Sequence, residues 1–254
     1  MRSPRVSPGG TMPLIESSAV TDAGRVRTVN EDAVVASYPV YVVADGMGGH
    51  EAGEVASALA VEELSRLADL PGPVREADVK QAVSAAHTRV ARLAAEWLRR
   101  KAGTTLTGAV VVERDHEPWW MVLNLGDSRT YRLADGRLTQ LSTDHSEVQE
   151  MVQAGQITQA EARTHPRRNV VTKALGAGVV CEPDYWLAPL RTDDRLLVCS
   201  DGLTSEVTDA RIAHLLFANP DPASAAQALA AEAWRMGGND NISVIVANEV
   251  RAAR

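Results

Sequence analysis

Apolar residues are concentrated in five short runs along the chain, each with the length of a buried β-strand. The runs are YVVA at positions 41–44, AVVV at 109–112, WWMVLNL at 119–125, LLVC at 196–199 and ISVIVA at 242–247. Between TYRL and RLTQL, the step Asp135-Gly136 is typical of a hairpin turn. The pattern therefore predicts strands that pair locally in hairpins.

Between the strand runs, apolar residues recur every three or four positions, which is typical of amphipathic helices. One such stretch covers residues 52–68 and another 79–98, with a Pro-Gly-Pro break at 71–73. A second helical pair is predicted after residue 207, and its last helix is expected to bury Ala226, Leu229, Ala230, Ala233 and Trp234. Because strands and helices do not alternate one for one, two layers of sheet flanked by helices are favoured over a Rossmann fold.

The length and composition fit one large domain. The chain has 254 residues, of which 45% are hydrophobic, so it can bury a sizeable core. Residues 1–12, MRSPRVSPGGTM, are rich in Pro, Ser and Gly and are expected to form a disordered tail. We therefore expect a single catalytic domain over residues 13–250.

The charge balance bears on the partners. Asp and Glu number 33 against 26 Lys and Arg, a net charge of -7 that argues against a nucleic-acid or anionic-membrane surface and suits cations. Cys181 and Cys199 belong to no CxxC or Cys/His spacing, so neither a disulfide scaffold nor structural zinc is expected. No apolar window reaches the length of a membrane span. A cytoplasmic setting is the expectation.

Four aspartates occupy one kind of position, the end of a predicted strand next to a small or polar residue. They are Asp45, Asp127, Asp201 and Asp240. Taken singly, each would more often cap a turn than bind a ligand. Strand ends of one sandwich can converge, however, and clustered carboxylates repel one another unless cations neutralise them. With no His/Cys ligand cluster beside them, these acids favour magnesium or manganese over zinc.

The loop DGMGGHEAGE at positions 45–54 is glycine-rich but matches neither nucleotide motif. Glu54 stands where a P-loop requires lysine, and Glu51 stands where the Rossmann pattern requires its third glycine. Acids repel phosphate, whereas the same acids charged with two metals would attract it and lower the pKa of a bound water. The loop is therefore predicted to hold metal first and phosphate second.

Seven segments, in order and spacing, resemble the bacterial metal-dependent serine/threonine protein phosphatases of type 2C. They are RTVNEDA (27–33), VVADGMGGHEAGEVAS (42–57), LGDSRTYRL (125–133), TDHSEVQEMVQAGQIT (143–158), HPRRNVVTKALG (165–176), LLVCSDGLTSEV (196–207) and GGNDNISVIV (237–246). The resemblance implies an α+β fold, a four-layer α/β/β/α sandwich of two mainly antiparallel sheets flanked by helical pairs. It also implies a mobile flap at about 143–169 and two or three Mn²⁺ or Mg²⁺ ions.

The same resemblance implies roles for individual residues. Asp45 would bridge two metals, while Asp201 and Asp240 would bind the first. The Gly46 carbonyl and Glu31, the latter with water, would hold the second. Asp127 would share a third, weaker metal with Asp201. Arg27 would grip the substrate phosphate, for which a guanidinium fork is suited. Asp32 is expected to lie next to the metal ligands without binding a metal itself.

The implied reaction is one-step hydrolysis by a water between two metals, without a phospho-enzyme. The proton donor to the leaving group is open, because Met47 stands where the eukaryotic pattern has histidine. His50 is one candidate, although a structural hydrogen bond is at least as good an explanation for it, and a metal-bound water is another. For His145 and His165, capping or packing is favoured over catalysis. Arg167 and Arg168 are hypothesised to meet acidic residues of a phosphopeptide.

Three other classes of protein are alternatives to this interpretation of the sequence. A cysteine phosphatase needs an arginine five or six residues after its cysteine, but Thr204 and Ser205 stand there, so Cys199 is predicted to be a buried strand residue. A non-catalytic phosphoprotein-binding relative is disfavoured by the complete acid set. A regulatory phosphatase of a sigma-factor partner switch would commonly carry a sensor domain or a shortened flap. The expected partners are phosphorylated proteins and a Ser/Thr kinase, with the protein itself a monomer.

Overall fold

The computed structural model describes residues 14–48, 51–96, 102–176 and 182–250. Along the chain the elements are β1 Leu14–Asp22, β2 Asp32–Ser37, β3 Val40–Met47, α1 Glu51–Ser65, a 3-10 turn at Arg66–Asp69, α2 Glu76–Glu96, β4 Gly103–Thr104, β5 Leu106–Arg114, β6 Glu117–Leu125, β7 Arg129–Ala134, β8 Arg137–Gln140, α3 Glu147–Gln153, α4 Gln159–Ala162, β9 Asp184–Pro189, β10 Arg195–Cys199, α5 Asp201–Thr204, α6 Asp209–Ala218, α7 Pro222–Met236 and β11 Ile242–Val250.

The strands form two antiparallel sheets. One has the order β1-β11-β10-β7-β8, and the other has the order β2-β3-β5-β6-β9, with the short β4 paired to β3. The β7–β8 hairpin turns through Asp135 and Gly136, whose φ angles are 50° and 75°, so both residues have the left-handed conformation that a two-residue hairpin requires. The sequence prediction of this turn is confirmed.

Three clusters of buried apolar residues hold the sandwich together. Tyr41, Trp120 and Val198 belong to the cluster between the two sheets. Helices α1 and α2 cover the outer face of the β3 sheet. Helices α6 and α7 cover the outer face of the β10 sheet. The order of layers is therefore helix, sheet, sheet, helix, as the resemblance implied.

All five apolar runs lie inside strands, namely β3, β5, β6, β10 and β11. Strands β1, β2 and β9 were not predicted, because their residues are mostly only partly buried and their apolar pattern is weak. Strand β1 is specified instead by its partner, since it pairs with β11 along its whole length. The expected tail at residues 1–12 lies outside the described residues.

One predicted core residue is wrong. Trp234 is 48% exposed, whereas Ala226, Leu229, Ala230 and Ala233 of the same helix are buried. The next residue after Ala233 is turned about 100° around a helix, which takes Trp234 off the buried stripe. Its ring lies instead under the Arg25 guanidinium, 5.0 Å from the ring centroid.

The described part of the chain contains no helix that is both long and apolar enough to cross a membrane.

Candidate active site

An open cleft of about 580 Å³ lies at one end of the sandwich. The sheet geometry explains why acids meet there, because Asp45 lies near the end of β3, Asp127 and Asp201 each follow a strand by two residues, and Asp240 precedes β11 by two. The structure thereby brings together every proposed metal ligand and the proposed phosphate-binding residue. The cleft walls include Arg27, Glu31, Asp45, Gly46, Asp127, Asp201 and Asp240.

The backbone around Asp45 is fixed by two threonines. The Asp45 N–H donates to Thr105 Oγ1 at 3.0 Å, and the Asp45 carbonyl accepts from the Thr105 N–H at 2.9 Å and from Thr104 Oγ1 at 3.0 Å. The next residue must be glycine, because a Cβ on Gly46 would overlap the carbonyl oxygens of Gly53 and Glu31. This close approach holds Asp45 and Gly46 in place at the cleft.

Asn241 joins the two loops that carry Glu31 and Asp240, and sequence reasoning missed it. Its Oδ1 accepts from the Glu31 N–H at 2.9 Å, while its Nδ2 donates to the carbonyls of Val29 at 2.9 Å and Ala23 at 3.1 Å. Its own N–H donates to Asp240 Oδ1 at 2.9 Å. The available sequence signal was an asparagine directly after Asp240, a predicted ligand.

The carboxylates in the cleft raise one another's pKa values. Burial raises the pKa of Asp45 well above its usual range, and the charges of Asp32, Asp201 and Asp127 add to that. Burial, and then the charge of Asp201, raises the pKa of Asp127 in the same way. For Asp201, burial and the charge of Asp240 raise the pKa to about 6. The protein alone therefore does not balance the charge of this cluster.

Asp32 lies behind the cluster, opposite Asp45 in the β2–β3 ladder. It is buried, and neither carboxylate oxygen has a hydrogen-bond partner among the described residues. The hydroxyls of Ser243 and Ser200 lie close enough to favour its charged form, but burial outweighs them and raises its pKa to about 7. Both hydroxyls have other partners: Ser243 Oγ pairs with Thr21 Oγ1 at 2.8 Å, and Ser200 Oγ donates to the Asn241 carbonyl at 3.4 Å.

The residues present fit hard divalent cations with incomplete protein coordination. Within the described ranges, no three His, Cys, Asp or Glu side chains converge as a ready-made metal cage. Magnesium-type sites rarely need one, because the ion is commonly held by one or two carboxylates and keeps several waters. The unbalanced carboxylate oxygens match that chemistry, and the described residues that line the cleft include no cysteine or histidine.

Arg27 stands at the rim of the cleft. Its Nη2 donates to Asp240 Oδ2 at 2.8 Å, and the two side chains are 53% and 34% exposed. That hydrogen bond and the nearby charges of Asp240, Glu31 and Asp45 raise the pKa of the guanidinium, against the opposing effect of partial burial. The side chain is therefore held charged beside the acids while it stays accessible to solvent.

Comparison with known proteins decides the family. Residues 22–234 match the family described as protein phosphatase 2C. The chain belongs to the protein phosphatase 2C family. Over 239 residues it is 40% identical to the serine/threonine protein phosphatase PstP of Mycobacterium tuberculosis. The aligned part covers 93% of this chain but only 45% of PstP, so the chain spans about half the length of that relative.

Two solved structures share the protein phosphatase 2C fold closely. A crystal structure of Mycobacterium tuberculosis PstP/Ppp superimposes with a TM-score of 0.87 at 39% identity, covering 93% of this chain and 99% of that one. A structure of the PstP catalytic domain in complex with two manganese ions gives a TM-score of 0.85 at 38% identity, with the same coverage of both chains. The family and the fold class predicted from the seven segments are thus confirmed.

The segment predicted to be the flap contains two short helices, α3 and α4. Helix α3 begins after the N-cap Ser146, and Gly155 follows its end with a φ of 68°. Helix α4 starts with a capping box formed by Thr158 and Glu161. The hypothesised peptide-binding Arg167 is already paired, since its Nη1 lies 2.9 Å from Glu147 Oε2.

The structure shows where His145, His165 and Cys199 lie. His145 is buried, the Nδ1 of His165 accepts from the Arg167 N–H at 3.2 Å within its own turn, and neither histidine lines the cleft. His50 lies outside the described residues. Burial raises the pKa of the Cys199 thiol to about 12, and the residue is fully buried in β10, as predicted.

Proposed function

We propose that this protein hydrolyses phosphoserine and phosphothreonine in proteins, as a metal-dependent serine/threonine phosphatase. One feature supports it above the others: a single cleft gathers mutually repelling carboxylates at its floor and an exposed arginine at its rim. Carboxylates without countercharge suit cations, and a guanidinium fork suits a phosphate.

The metal-binding roles follow the positions in the cleft. Asp45 and the Gly46 carbonyl would hold two ions between them, with Asp201 and Asp240 on the first and Glu31 on the second. Asp127 and Asp201 would hold a third. Two or three Mn²⁺ or Mg²⁺ ions would neutralise the acids and attract the phosphate. They would also lower the pKa of water enough to make hydroxide available for attack near neutral pH.

Arg27 would bind and orient the phosphate. A guanidinium has five N–H donors, and among the described residues one of them donates to Asp240, so the fork can also reach phosphate oxygens. Fixing the phosphate in line with the attacking water would contribute orientation as well as charge. Met47 lines the cleft and carries no titratable proton, so the leaving group must be protonated by another donor.

The substrates would be phosphorylated proteins, with a bacterial Ser/Thr kinase acting in the opposite direction. PstP is named as a serine/threonine protein phosphatase, and Stp of Listeria monocytogenes, which is 35% identical over 237 residues, is named as a serine/threonine phosphatase. The rival functions are a non-catalytic phosphoprotein-binding role and a regulatory phosphatase of a sigma-factor switch. The complete acid set in the cleft favours catalysis over the first.

The test is phosphate release from a phosphothreonine peptide with Mn²⁺, with excess chelator, and with Asp201→Asn. We expect turnover that needs Mn²⁺ and is lost in the variant, because the substitution removes a charged oxygen ligand without changing the side chain's size. Asp135→Asn is the matched control, since Asp135 is exposed in the β7–β8 turn and asparagine also tolerates a positive φ.

Activity that survives chelation would contradict the metal mechanism. No activity with any metal, together with tight binding of the phosphopeptide, would support the binding role instead.

A further inference from the structure

The two ends of the flap are tied together at its base. The His145 carbonyl accepts from the Thr172 N–H at 2.8 Å, and the Glu147 N–H donates to the Val170 carbonyl at 3.0 Å. Ser146 and Val171 form the bridge between these two bonds. The flap is therefore a closed loop, and whatever holds His145 also holds the base of the whole segment.

His145 forms hydrogen bonds to Gly126 through both its backbone and its ring. Its N–H donates to the Gly126 carbonyl at 2.8 Å, and its Nδ1 accepts from the Gly126 N–H at 3.2 Å. Gly126 directly precedes Asp127, whose carboxylate lines the cleft. One buried side chain thus connects the flap base to the peptide that carries Asp127.

The hydrogen bonds fix the tautomer of the ring. Since Nδ1 accepts from Gly126, the proton of the neutral ring is on Nε2, and it points to Asp184 Oδ2 at 3.2 Å. Lys173 Nζ lies 3.3 Å from Nε2 and 3.7 Å from Asp184 Oδ1, so the Asp184 carboxylate is the acceptor for both donors. Burial and the charge of Lys173 lower the His145 pKa, against Asp184 and Asp144, which favours this neutral form.

Gly126 has little freedom in other directions. Its φ is 115°, a Cβ there would overlap the Thr105 side chain, and its carbonyl also accepts from Asn124 Nδ2 at 3.0 Å. Thr105 in turn pairs with Ser128 Oγ at 2.9 Å and accepts from the Asp45 N–H at 3.0 Å. The body of the protein holds one side of this turn, and His145 holds the other from the flap.

We propose that His145 is a positioning residue that fixes the Gly126–Asp127 peptide and thereby couples the position of the flap to metal binding by Asp127. The inference rests on the proposed function for the ligand role of Asp127. A partner that orients a ligand from behind changes metal affinity although it never touches the metal.

The test is a titration of the folded protein with Mn²⁺. Binding is measured by calorimetry and by the electron paramagnetic resonance signal of free Mn²⁺. We expect His145→Ala to weaken the weakest class of bound Mn²⁺ by about 10-fold to 100-fold and to leave the tighter classes unchanged. His145→Asn should restore most of that affinity, because its amide oxygen can occupy the Nδ1 position. His145→Gln, whose amide corresponds to Nε2, should not restore it.

Exposed His116, in the β5–β6 turn with a φ of 64°, provides the control variant His116→Asn. A second readout is tryptic cleavage within the flap after Arg163, Arg167 or Arg168. Because coupling is reciprocal, Mn²⁺ at the weak site should slow that cleavage about fivefold or more in the wild type but not in His145→Ala.

Several outcomes would overturn the proposal. These are equal weak-class affinity in the wild type and His145→Ala, an Asn variant as impaired as the Gln variant, or a wild type that binds only two ions. The last result would leave the proposed phosphatase function intact, whereas a wild type that binds no Mn²⁺ would remove that function as well. If His145→Ala does not fold, the comparison of Asn with Gln decides.

Discussion

Buried and partly buried aspartates occur in two settings in this molecule, and the settings differ in whether the protein itself supplies the countercharge. Asp144 receives the Arg129 guanidinium, with Nη2 at 2.6 Å from Oδ2. Asp194 receives Arg132, with Nη2 at 2.6 Å from Oδ1. In the cleft, by contrast, Asp45, Asp127 and Asp201 form no ion pair with lysine or arginine among the described residues.

The presence or absence of an arginine partner distinguishes aspartates that stabilise the fold from aspartates that we propose to serve function. A buried carboxylate with its arginine is a balanced pair, and breaking it leaves an uncompensated charge inside the protein. A buried carboxylate whose neighbours are other carboxylates destabilises the metal-free fold, so its presence points to a ligand from outside. Active sites commonly trade stability for function in this way.

The largest effect should come from Asp45, the proposed bridging acid. We expect Asp45→Asn to lower kcat for a phosphothreonine peptide by about 10³-fold or more, since each metal contributes several kcal/mol to the reaction. The metal-free variant should nevertheless unfold at a temperature equal to or above that of the wild type, because one repelling charge is gone. Phosphate release and thermal unfolding in chelator measure the two quantities.

Repeating the unfolding measurement with Mn²⁺ adds a second test of Asp45. At about 100 times its dissociation constant, a ligand that binds only the folded state stabilises it by about 2.7 kcal/mol. The wild type should show such a shift and Asp45→Asn should lose most of it. A metal-free Asp45→Asn protein that is clearly less stable than the wild type would contradict the view of Asp45 as an unbalanced charge.

Next in size is the arginine-paired acid. Asp194→Asn should lower the free energy of unfolding by about 3 kcal/mol, because it leaves the largely buried Arg132 without its carboxylate. The folded fraction should keep its wild-type kcat, since Asp194 does not line the cleft. Urea denaturation and single-peptide kinetics measure these.

Its neighbour Asp193 is the matched control, because it is exposed and its φ of 67° suits asparagine. Equal stability of Asp193→Asn and Asp194→Asn would show that the Arg132 pair has no special weight.

Arg27 combines features of the two settings, because it pairs with a cleft acid at an exposed position. An exposed ion pair is worth about 1 kcal/mol or less, so Arg27→Ala should change stability little. A hydrogen bond to a charged group is worth about 1.5–3 kcal/mol, so kcat/KM for the phosphopeptide should fall by about 10-fold to 100-fold.

Arg27→Lys separates charge from shape. It keeps the cation but loses the fork, and we expect it to recover only part of the lost kcat/KM. Arg137→Ala, at an exposed position of the β7–β8 hairpin, should leave kcat/KM unchanged. If Arg27→Ala also leaves kcat/KM unchanged, the phosphate-binding role of Arg27 is wrong.

Sequence reasoning reached the main elements of the fold for identifiable reasons. The central strands are buried on both faces and therefore read as continuous apolar runs, as LLVC in β10 does. Strand β1 was missed because it is an edge strand in partial contact with solvent and takes its register from β11. Trp234 was misplaced because one position of helical phase decides between core and surface.

For the site, the order of residues was enough to place the acids beside strand ends, to show that glycines accompany them, and to name the family that carries these motifs in this order. Which acids meet one another and which meet an arginine depends on the folded arrangement of the strands. The reason is distance along the chain: Arg132 reaches Asp194 across 62 positions, Arg27 reaches Asp240 across 213, and Asn241 reaches Glu31 across 210. Countercharge is set by folding, so an aspartate's role could be predicted from its motif but its charge balance could not.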